Sequence, residues 1–568
     1  MHYKDCSFIL SPGCFYDLKL TFASKSDEII GQVRIEIQCK NVTSTIELSA
    51  NPLFLTIHHA TLEHRLTNAT LNLGLPLVNW NLFTIEFRLD SNLTIGHVYY
   101  LSIWFNTKYS DDHLGLSRHF NKEYGTWINS LFEPYLIRRL LPCFDEPKWR
   151  SVFKLQLWLQ GEFANKSYVA LSNTNGVAEL WNENLSIWTF EQTPPIPTYL
   201  FTIAVGKFRS VCEHRTEIGR DVCIWRFSLW KGWERVAKLI IEAMTRFQRA
   251  MTDYLLADPI ARLHLLILPL KINGMENFGL LNIKETLWPV ENDPKSFEVF
   301  SQTLFHEVAH QWFGNLVTMN WWSHIWLSES LTTFLSSPRP ILFDSSRDLT
   351  TDALVSYKWA SHVPTIVYNK GAAVIEMLDS IITENRMRRL LRSYIRMNEF
   401  GSADTEIFLS LLNQTMNDET SMAVKFLSAW LHQGSHPIVF IDYDPILKQF
   451  CLSQTPKMGS NDVRWSIPIW IECVYGTVAE TLHWISPDSQ LILDLNKVTL
   501  TNSTQAVAFN RNPSLMFKLE GQSIYAEYAS GTSIAILIQM NVKEFDFIAE
   551  LHQHLWLYQV FHGSRNRI

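Results

Sequence analysis

The sequence has no hydrophobic run long enough to cross a membrane. Its longest apolar stretches, Leu263–Leu270 and Ile534–Met540, fall well short of the roughly 18–20 residues of a membrane helix, so we expect core strands there. Charged residues make up only 18% of the chain, the net charge is −7, and there is no basic excess or continuous run of Lys and Arg. Nucleic-acid-binding proteins normally carry a basic surface. These absences argue against a membrane span in this chain and against nucleic acid as a partner.

Cysteine is also scarce, with eight residues in the chain and no C-x-x-C pair. The lack of such pairs argues against a zinc site built from thiolates. Two pairs, Cys212/Cys223 and Cys451/Cys473, are close enough in sequence to close loops in an oxidising compartment. Buried free thiols are the alternative interpretation.

The first twenty residues lack the basic stretch and apolar run of a secretory signal. The chain nevertheless has seven N-x-[ST] sequons, roughly twice the number that chance gives. This excess favours a glycoprotein that is extracellular or the ectodomain of a plasma-membrane protein, with an incomplete N-terminus. The sequons begin at Asn41, Asn68, Asn92, Asn165, Asn184, Asn413 and Asn502.

The chain is large and rich in core-forming side chains. With 568 residues, 47% of them hydrophobic, it is long enough for about three or four domains. The first two hundred residues alternate apolar and polar side chains in short segments, as in Gln32–Gln38, Phe83–Leu89 and Phe153–Leu159. This alternation is typical of β-sandwich strands. Strands are predicted again from Ile438 to about residue 540.

Between residues 208 and 436 the apolar spacing changes to that of amphipathic helices. In Glu234–Tyr254, for example, apolar residues recur every three or four positions. No internal repeat or low-complexity segment interrupts the pattern. Further helices are predicted at Ser301–Val317, Leu327–Leu335, Gly371–Ile382, Asn385–Tyr394, Glu406–Met416 and Met422–His432.

One of these helices carries an H-E-x-x-H motif, from His306 through Glu307 to His310. Residues four apart lie on one face of a helix, so both imidazoles can bind one ion. A catalytic zinc usually has three protein ligands, and Glu329 on the next predicted helix is the expected third. Glu307 is placed to act as general base toward a water on that ion.

The neighbours of the motif are apolar, with Leu304 and Phe305 before it and Trp312 and Phe313 after it. A largely buried helix leaves two His and a Glu in need of partners, which a metal supplies. A surface His pair with a solvated Glu is the alternative. We therefore predict one Zn²⁺ per chain, which would activate a water and polarise the scissile carbonyl. The motif itself does not identify the second donor to the oxyanion.

Four blocks, in the same order, closely resemble the aminopeptidase N type of gluzincin zinc aminopeptidases. The resemblance covers nearly the whole chain and weakens after about residue 475. The longest block, HEVAHQWFGNLVTMNWWSHIWLSE, is similar to the zinc core of the family, and NGMEN is similar to its G-A-M-E-N exopeptidase motif. The blocks are His306–Glu329, Asn273–Asn277, Phe132–Pro134 with Pro142–Pro147, and Val367–Ala372.

The resemblance implies roles for the matching positions. Glu276 would bind the free α-ammonium group of the substrate, assisted by Glu133. Two carboxylates beside a cation select an unblocked N-terminus. Tyr368 would donate its phenol to the oxyanion. The rest of the exopeptidase motif is expected to contact substrate at Gly274, Met275 and Asn277.

The resemblance also implies a multidomain α+β fold. An N-terminal β-sandwich domain is expected over residues 1–207, a thermolysin-like α/β catalytic domain over 208–436, and a small β-sandwich over 437–540. Residues 541–568 would form a C-terminal tail. The helical superhelix that ends the family's fold is expected to be missing.

Several departures from the family pattern favour the alternative of a catalytically weak or inactive aminopeptidase-like protein. The positions of two family glycines are occupied by Asn273 and Ser330, while Leu131 replaces a Gln and His324 replaces an Asp. Only 38 residues separate the third zinc ligand from the tyrosine, about half the family's usual spacing, so part of the helical wall is expected to be absent.

The sequence therefore predicts a zinc-dependent aminopeptidase that acts on peptides with a free N-terminus. A catalytically weak or inactive aminopeptidase-like binding protein is the alternative. A relative of the bifunctional leukotriene hydrolases is disfavoured, because residues 438–540 are predicted as strands where that branch has helices. A zinc endopeptidase is disfavoured by Glu276. The oligomeric state cannot be predicted from this sequence.

Overall fold

The computed structural model describes residues 8–9, 14–227, 232–336, 365–417, 422–444, 446–447, 449–456, 463–474, 480–494, 506–509, 518–520, 525–527 and 533–538. The chain forms two compact units. The first runs to Trp322 and includes Asn398–Ala403, and the second begins at Ser323 and contains the rest of the described chain. Within the described parts, the molecule is rich in sheet and has seven α-helices.

The first unit begins with seventeen strands. They are β1 (Phe8–Ile9), β2 (Cys14–Ala23), β3 (Glu28–Cys39), β4 (Thr45–Ser49), β5 (Thr56–His64), β6 (Thr70–Leu73), β7 (Leu77–Asn79), β8 (Thr84–Arg88), β9 (Val98–Lys108), β10 (Gly115–Asn121), β11 (Gly125–Leu131), β12 (Arg150–Gln160), β13 (Val169–Ser172), β14 (Gly176–Asn182), β15 (Leu185–Phe190), β16 (Ile196–Pro197) and β17 (Ile203–Gly206).

These strands form three sheets. The largest has the order β14-β15-β12-β2-β3-β9-β5-β6, and in addition β1 pairs with β3 and β16 pairs with β12. A four-stranded sheet has the order β10-β11-β17-β13, and a three-stranded sheet has the order β4-β8-β7. Along β3, buried positions alternate with more exposed ones. A strand that buries one face shows this alternation, since successive side chains point to opposite faces. The predicted strand at Gln32–Gln38 is therefore confirmed.

The next part of the first unit contains the five-stranded sheet that leads to the site. Its strands are β18 (Phe208–Arg215), β19 (Arg220–Phe227), β20 (Leu263–Leu268), β21 (Gly274–Met275) and β22 (Leu280–Lys284). Their order is β18-β19-β20-β22-β21, with β19, β20 and β22 parallel and β21 antiparallel at the edge. Trp127 of β11 packs with Phe208, Phe227 and Leu268 in a core that joins this sheet to the four-stranded one.

Two helices complete this region. Helix α1 (Trp233–Leu255) confirms the predicted amphipathic helix, and helix α2 (Pro294–Ala309) carries the H-E-x-x-H motif. The rings of Phe247 on α1 and Phe305 on α2 stack with centroids 4.6 Å apart. The short strands β23 (Thr318–Met319) and β24 (Ser402–Ala403) pair in parallel.

The predicted helix at Ser301–Val317 is wrong at both ends. The helix starts earlier, where the Asp293 side chain accepts a hydrogen bond from the Lys295 backbone N–H, and it stops at Ala309. Beyond it, the N–H groups of Asn315 and Leu316 bond to carbonyls five residues back, at distances of 3.1 Å, instead of four. The apolar spacing continues through this wide turn, which explains why the sequence predicted a longer helix.

Among its described residues, the second unit has five helices and two sheets. The helices confirm the remaining helix predictions: α3 (Trp326–Ser336), α4 (Thr365–Ile382), α5 (Glu384–Asn398), α6 (Thr405–Met416) and α7 (Met422–His432). The strands of the sheets are β25 (Pro437–Asp444), β26 (Gln449–Pro456), β27 (Ile467–Val474), β28 (Glu480–Ile485), β29 (Leu491–Asp494), β30 (Ala506–Phe509), β31 (Lys518–Glu520), β32 (Tyr525–Glu527) and β33 (Ser533–Ile538). The sheets have the orders β29-β26-β25-β31 and β28-β27-β30-β33-β32.

The structure distinguishes between the two interpretations of the cysteines, disulfides and free thiols. Cys212 and Cys223 face each other on β18 and β19 and form a disulfide, whereas Cys451 is a free thiol. Among the described residues, no helix combines the length and the apolar composition that crossing a membrane requires. The predicted tail at 541–568 and residues 337–364, where the shortened helical wall is predicted, lie outside the described residues.

Candidate metal centre

The C-terminal end of α2 presents the two histidines of the motif together. His310 directly follows the helix in helical conformation, and its N–H bonds to the His306 carbonyl at 3.1 Å. As a result, the two Nε2 atoms lie 2.9 Å apart. His306 is half-buried, while Glu307 and His310 are 5% and 1% exposed. The motif is therefore in the interior, as its apolar neighbours predicted.

The predicted third ligand, Glu329, lies on α3. Its side chain is 2% exposed. Two imidazoles and a carboxylate are a donor set that zinc uses in catalytic sites. The structure thus brings the two predicted histidine ligands together, and Glu329 remains the predicted third ligand.

The hydrogen bonding of His310 suits a metal ligand. Its Nδ1 lies 3.0 Å from the carbonyl oxygen of Phe313, to which the ring donates. A proton on Nδ1 leaves the Nε2 lone pair directed toward His306 and the ion position. The residues therefore fit a zinc ion, both in donor type and in the tautomer of this imidazole.

The block Asn273–Asn277, which resembles the exopeptidase motif and is called the exopeptidase block below, lies beside the histidines. Gly274 and Met275 form the edge strand β21, and Glu276 follows directly. Carboxylate oxygens of Glu276 and Glu307 lie within 4.8 Å of each other and of a His310 ring nitrogen. Glu276 is 4% exposed. The predicted amine-binding carboxylate is therefore adjacent to the predicted general base.

Glu133 also belongs to this cluster. One of its carboxylate oxygens lies within 4.8 Å of one from Glu276, and its side chain is half-buried. Two neighbouring carboxylates favour a cation between them. The pair at Glu133 and Glu276 has the arrangement predicted for recognising an ammonium group.

Gly274 is packed against Glu307, the predicted general base. A Cβ atom at this position would meet the Glu307 carboxylate, with the Glu307 Cδ only 2.6 Å away. Only glycine permits this close approach of the backbone. Met275 and Asn277 are buried, and the Asn277 amide has no hydrogen-bond partner among the described residues.

Two residues that the sequence did not identify hold the Glu276 backbone. The side-chain amides of Gln311 and Asn315 both donate to the Glu276 carbonyl, at 3.1 and 2.8 Å. Both side chains are fully buried. The only signal in the sequence was their presence as polar residues among the aromatic and apolar residues that follow His310.

Tyr368 lies half-buried on the first turn of α4. The neighbouring Val367 carbonyl accepts a hydrogen bond from the Ser330 hydroxyl at 2.6 Å. A Cβ at Gly371 would lie 2.7 Å from the Ser330 Cβ, so α3 and α4 pack closely here. Glu329, the predicted third ligand, immediately precedes Ser330. The helix that carries Glu329 therefore packs directly against the helix that carries Tyr368.

The other residues that depart from the family pattern differ in their burial and in their hydrogen bonds. Leu131 is buried at the end of β11, and Asn273 is exposed, with its carbonyl accepting the Lys284 N–H at 2.9 Å. The His324 Nδ1 lies 2.9 Å from the Thr405 hydroxyl, at the start of α6. The imidazole therefore helps to fix the beginning of that helix.

Family models match most of the chain. Residues 14–200 match the peptidase M1 N-terminal domain, and residues 241–339 and 343–430 match the peptidase family M1 domain. Together these ranges cover more than half of the sequence.

Individual relatives agree with these matches. The chain is 27% identical over 534 residues to aminopeptidase Q of Felis catus, which covers 84% of the chain and 52% of the relative. It is 29% identical over 469 residues to aminopeptidase M1-C of Oryza sativa subsp. japonica, covering 75% and 51%. For aminopeptidase M1 of Arabidopsis thaliana, the identity is 28% over 497 residues, covering 81% and 54%. The chain thus spans about half the length of the curated relatives it matches. With both domain matches in the expected order, the family resemblance is confirmed, and the chain belongs to peptidase family M1, in its aminopeptidase N type.

Proposed function

We propose that this protein is a zinc-dependent aminopeptidase that removes the N-terminal residue from peptides with a free N-terminus. The observation that carries the proposal is the adjacency of Glu276 to Glu307 and His310. A carboxylate at that distance binds the α-ammonium group where the first peptide bond lies beside the general base. An endopeptidase has no use for a buried carboxylate in this place.

The residues of the chain divide the chemistry among them. His306, His310 and Glu329 would hold the ion. When bound, zinc polarises the scissile carbonyl and makes water more acidic. Glu307 takes a proton from the attacking water and delivers it to the leaving amine.

Substrate recognition and charge stabilisation are assigned to other groups. Glu276 and Glu133 bind the substrate ammonium, so that a blocked N-terminus is rejected. The Tyr368 phenol donates to the oxyanion as it forms. The Ser330 bond to the Val367 carbonyl supports this role, because it fixes the turn that carries Tyr368.

The fold proposal follows the family. We infer that residues 1–207 form the N-terminal β-sandwich, 208–436 the thermolysin-like domain and 437–540 the small β-sandwich. The sheet β18-β19-β20-β22-β21, together with α1 and α2, supports the thermolysin-like domain. The two sheets formed by β25–β33 support the small β-sandwich.

We also propose an extracellular or ectodomain location for the chain. The Cys212–Cys223 disulfide is stable in an oxidising compartment. All six sequon asparagines in the described residues are exposed, as a glycosylated surface requires.

The proposal is tested by hydrolysis of leucine and alanine anilides by purified protein, with and without added zinc. We expect zinc-dependent turnover that falls by about 100-fold or more in Glu307→Gln, since general-base catalysis contributes that much. N-acetylated anilides should not be cleaved. Zinc bound without any turnover would favour the aminopeptidase-like binding protein instead.

A further inference from the structure

The turn that follows His310 connects the metal ligands to the exopeptidase block. Within this turn, the Asn315 N–H bonds to the His310 carbonyl at 3.1 Å, and Phe313 supplies the carbonyl that faces the His310 Nδ1 at 3.0 Å. The same turn places the side chains of Gln311 and Asn315 on the carbonyl of Glu276. A single segment therefore orients both a metal ligand and the strand end that carries Glu276.

We propose that Gln311 and Asn315 are positioning residues for recognition of the substrate N-terminus. They form an amide clamp, defined by the two N–H groups that converge on one carbonyl oxygen, at 3.1 and 2.8 Å. A carbonyl has two lone pairs, so the clamp uses both. It fixes the peptide plane between Glu276 and Asn277, and with it the direction in which the Glu276 side chain leaves the backbone.

The surroundings show that the clamp is itself held in place. The Gln311 Oε1 accepts the Gly279 N–H at 3.3 Å, which orients the amide so that its NH₂ faces Glu276. The Asn315 carbonyl accepts a bond from the Arg150 guanidinium at 2.8 Å. Burial lowers the pKa of Arg150 to about 10, so the guanidinium remains charged at neutral pH. Charged donors make the stronger hydrogen bonds.

Tyr199 contributes a second support for the turn. Its hydroxyl donates to the Gly314 carbonyl at 3.1 Å, and the Thr318 hydroxyl donates to the same oxygen at 2.8 Å. A turn fixed at successive carbonyls keeps Gln311 and Asn315 in single conformations. The clamp is therefore preorganised, which is what precise placement of a binding carboxylate needs.

This inference rests on the proposed aminopeptidase function and adds the residues that set its amine specificity. Gln311→Met and Asn315→Leu keep the approximate size of each side chain and remove the donor. Gln454→Met is the matched control, because the Gln454 amide donates to the Trp465 carbonyl at 2.8 Å in a buried setting of the C-terminal sheets. Zinc content and unfolding midpoint are measured for all three variants.

The decisive readout is binding of leucinamide compared with N-acetyl-leucinamide, measured by calorimetry on zinc-loaded protein that also carries Glu307→Gln, so that leucinamide is not cleaved during the titration. We expect leucinamide to bind about 10-fold more weakly in each clamp variant, the effect of one lost buried hydrogen bond. N-acetyl-leucinamide binding, zinc content and the control should not change. For leucine anilide, the loss should appear mainly in KM rather than in kcat.

The outcomes that overturn the inference are distinct from failure of the proposed function. An equal loss of leucinamide and N-acetyl-leucinamide binding, or a loss of zinc, would show that the amides only stabilise the fold or the metal site. If wild-type protein binds leucinamide but does not cleave anilides, the proposed function fails while the clamp is still tested by binding. If wild-type protein does not bind leucinamide, both fail.

Discussion

At the residue scale, the site contains a glycine whose position leaves no room for a side chain. Gly274 lies where any Cβ would meet the Glu307 carboxylate. Gly274→Ala should therefore displace the general base and lower kcat by about 100-fold or more, the usual contribution of general-base catalysis. Steady-state kinetics on leucine anilide measures this effect, and zinc content should stay at one ion per chain.

Gly74→Ala is the control for that substitution. A Cβ at Gly74 would have no heavy atom within 4 Å, so the variant should retain wild-type kinetics. Activity of Gly274→Ala within about 3-fold of wild type would show that Glu307 adapts without loss, and it would contradict the close approach as a catalytic requirement.

At the scale of elements, α3 and α4 make a close contact beside Tyr368. The Ser330 hydroxyl donates to the Val367 carbonyl at 2.6 Å, next to Tyr368. Ser330→Ala should lower kcat by about 5–10-fold and leave KM unchanged, because a phenol that acts on the oxyanion contributes only in the transition state. Ser336→Ala changes a buried serine at the other end of α3 and should not affect kcat. Equal changes in both variants would assign the loss to packing.

Helix α4 also carries a carboxylate, Asp379, whose ionised form destabilises the folded state at neutral pH. Burial, with smaller effects from Glu384 and Glu376, raises the pKa of Asp379 from 3.8 to about 6. The folded state therefore binds this proton more tightly than the unfolded chain. The resulting stability is present below pH 3.8 and is lost as the pH rises through 6.

Asp379→Asn should remove this cost. We expect its free energy of unfolding at pH 7.5 to exceed that of wild type by about 1–2 kcal/mol, a value discounted for the partial exposure of the side chain. The difference should shrink as the pH falls toward 4. Urea denaturation at both pH values tests this, with the exposed Asp90→Asn as control. A difference independent of pH would contradict the role of ionisation.

At the scale of the whole molecule, surface glycosylation is the clearest consequence of the proposed location. Six sequon asparagines in the described chain are exposed: Asn41, Asn68, Asn92, Asn165, Asn184 and Asn413. Protein made in a secretory host should lose mass on treatment with an N-glycosidase, and mass spectrometry would identify the modified positions. No change in mass would argue against passage through a secretory compartment.

Local patterns predicted the elements of the fold well, and long-range contacts account for what they missed. The periodicity of α1 and the alternation in β3 reflect single buried faces, which a sequence shows directly. The wide turn after Ala309 was missed, because its hydrogen bonds span five residues while its apolar spacing stays helical. The clamp on Glu276 was missed, because Gln311 lies 35 residues from its partner in sequence.

Metal binding should also stabilise the molecule. Metal ligation satisfies polar groups in the interior, and His310 and Glu329 are 1% and 2% exposed. A ligand that binds only the folded state at about 1,000 times its dissociation constant adds about 4 kcal/mol. We therefore expect the unfolding midpoint to fall on chelation and to recover with zinc, as measured by calorimetry. Glu329→Gln should reduce this shift, and the exposed Glu399→Gln should not. An unfolding midpoint that is the same with and without zinc would show that the three residues do not form a zinc site.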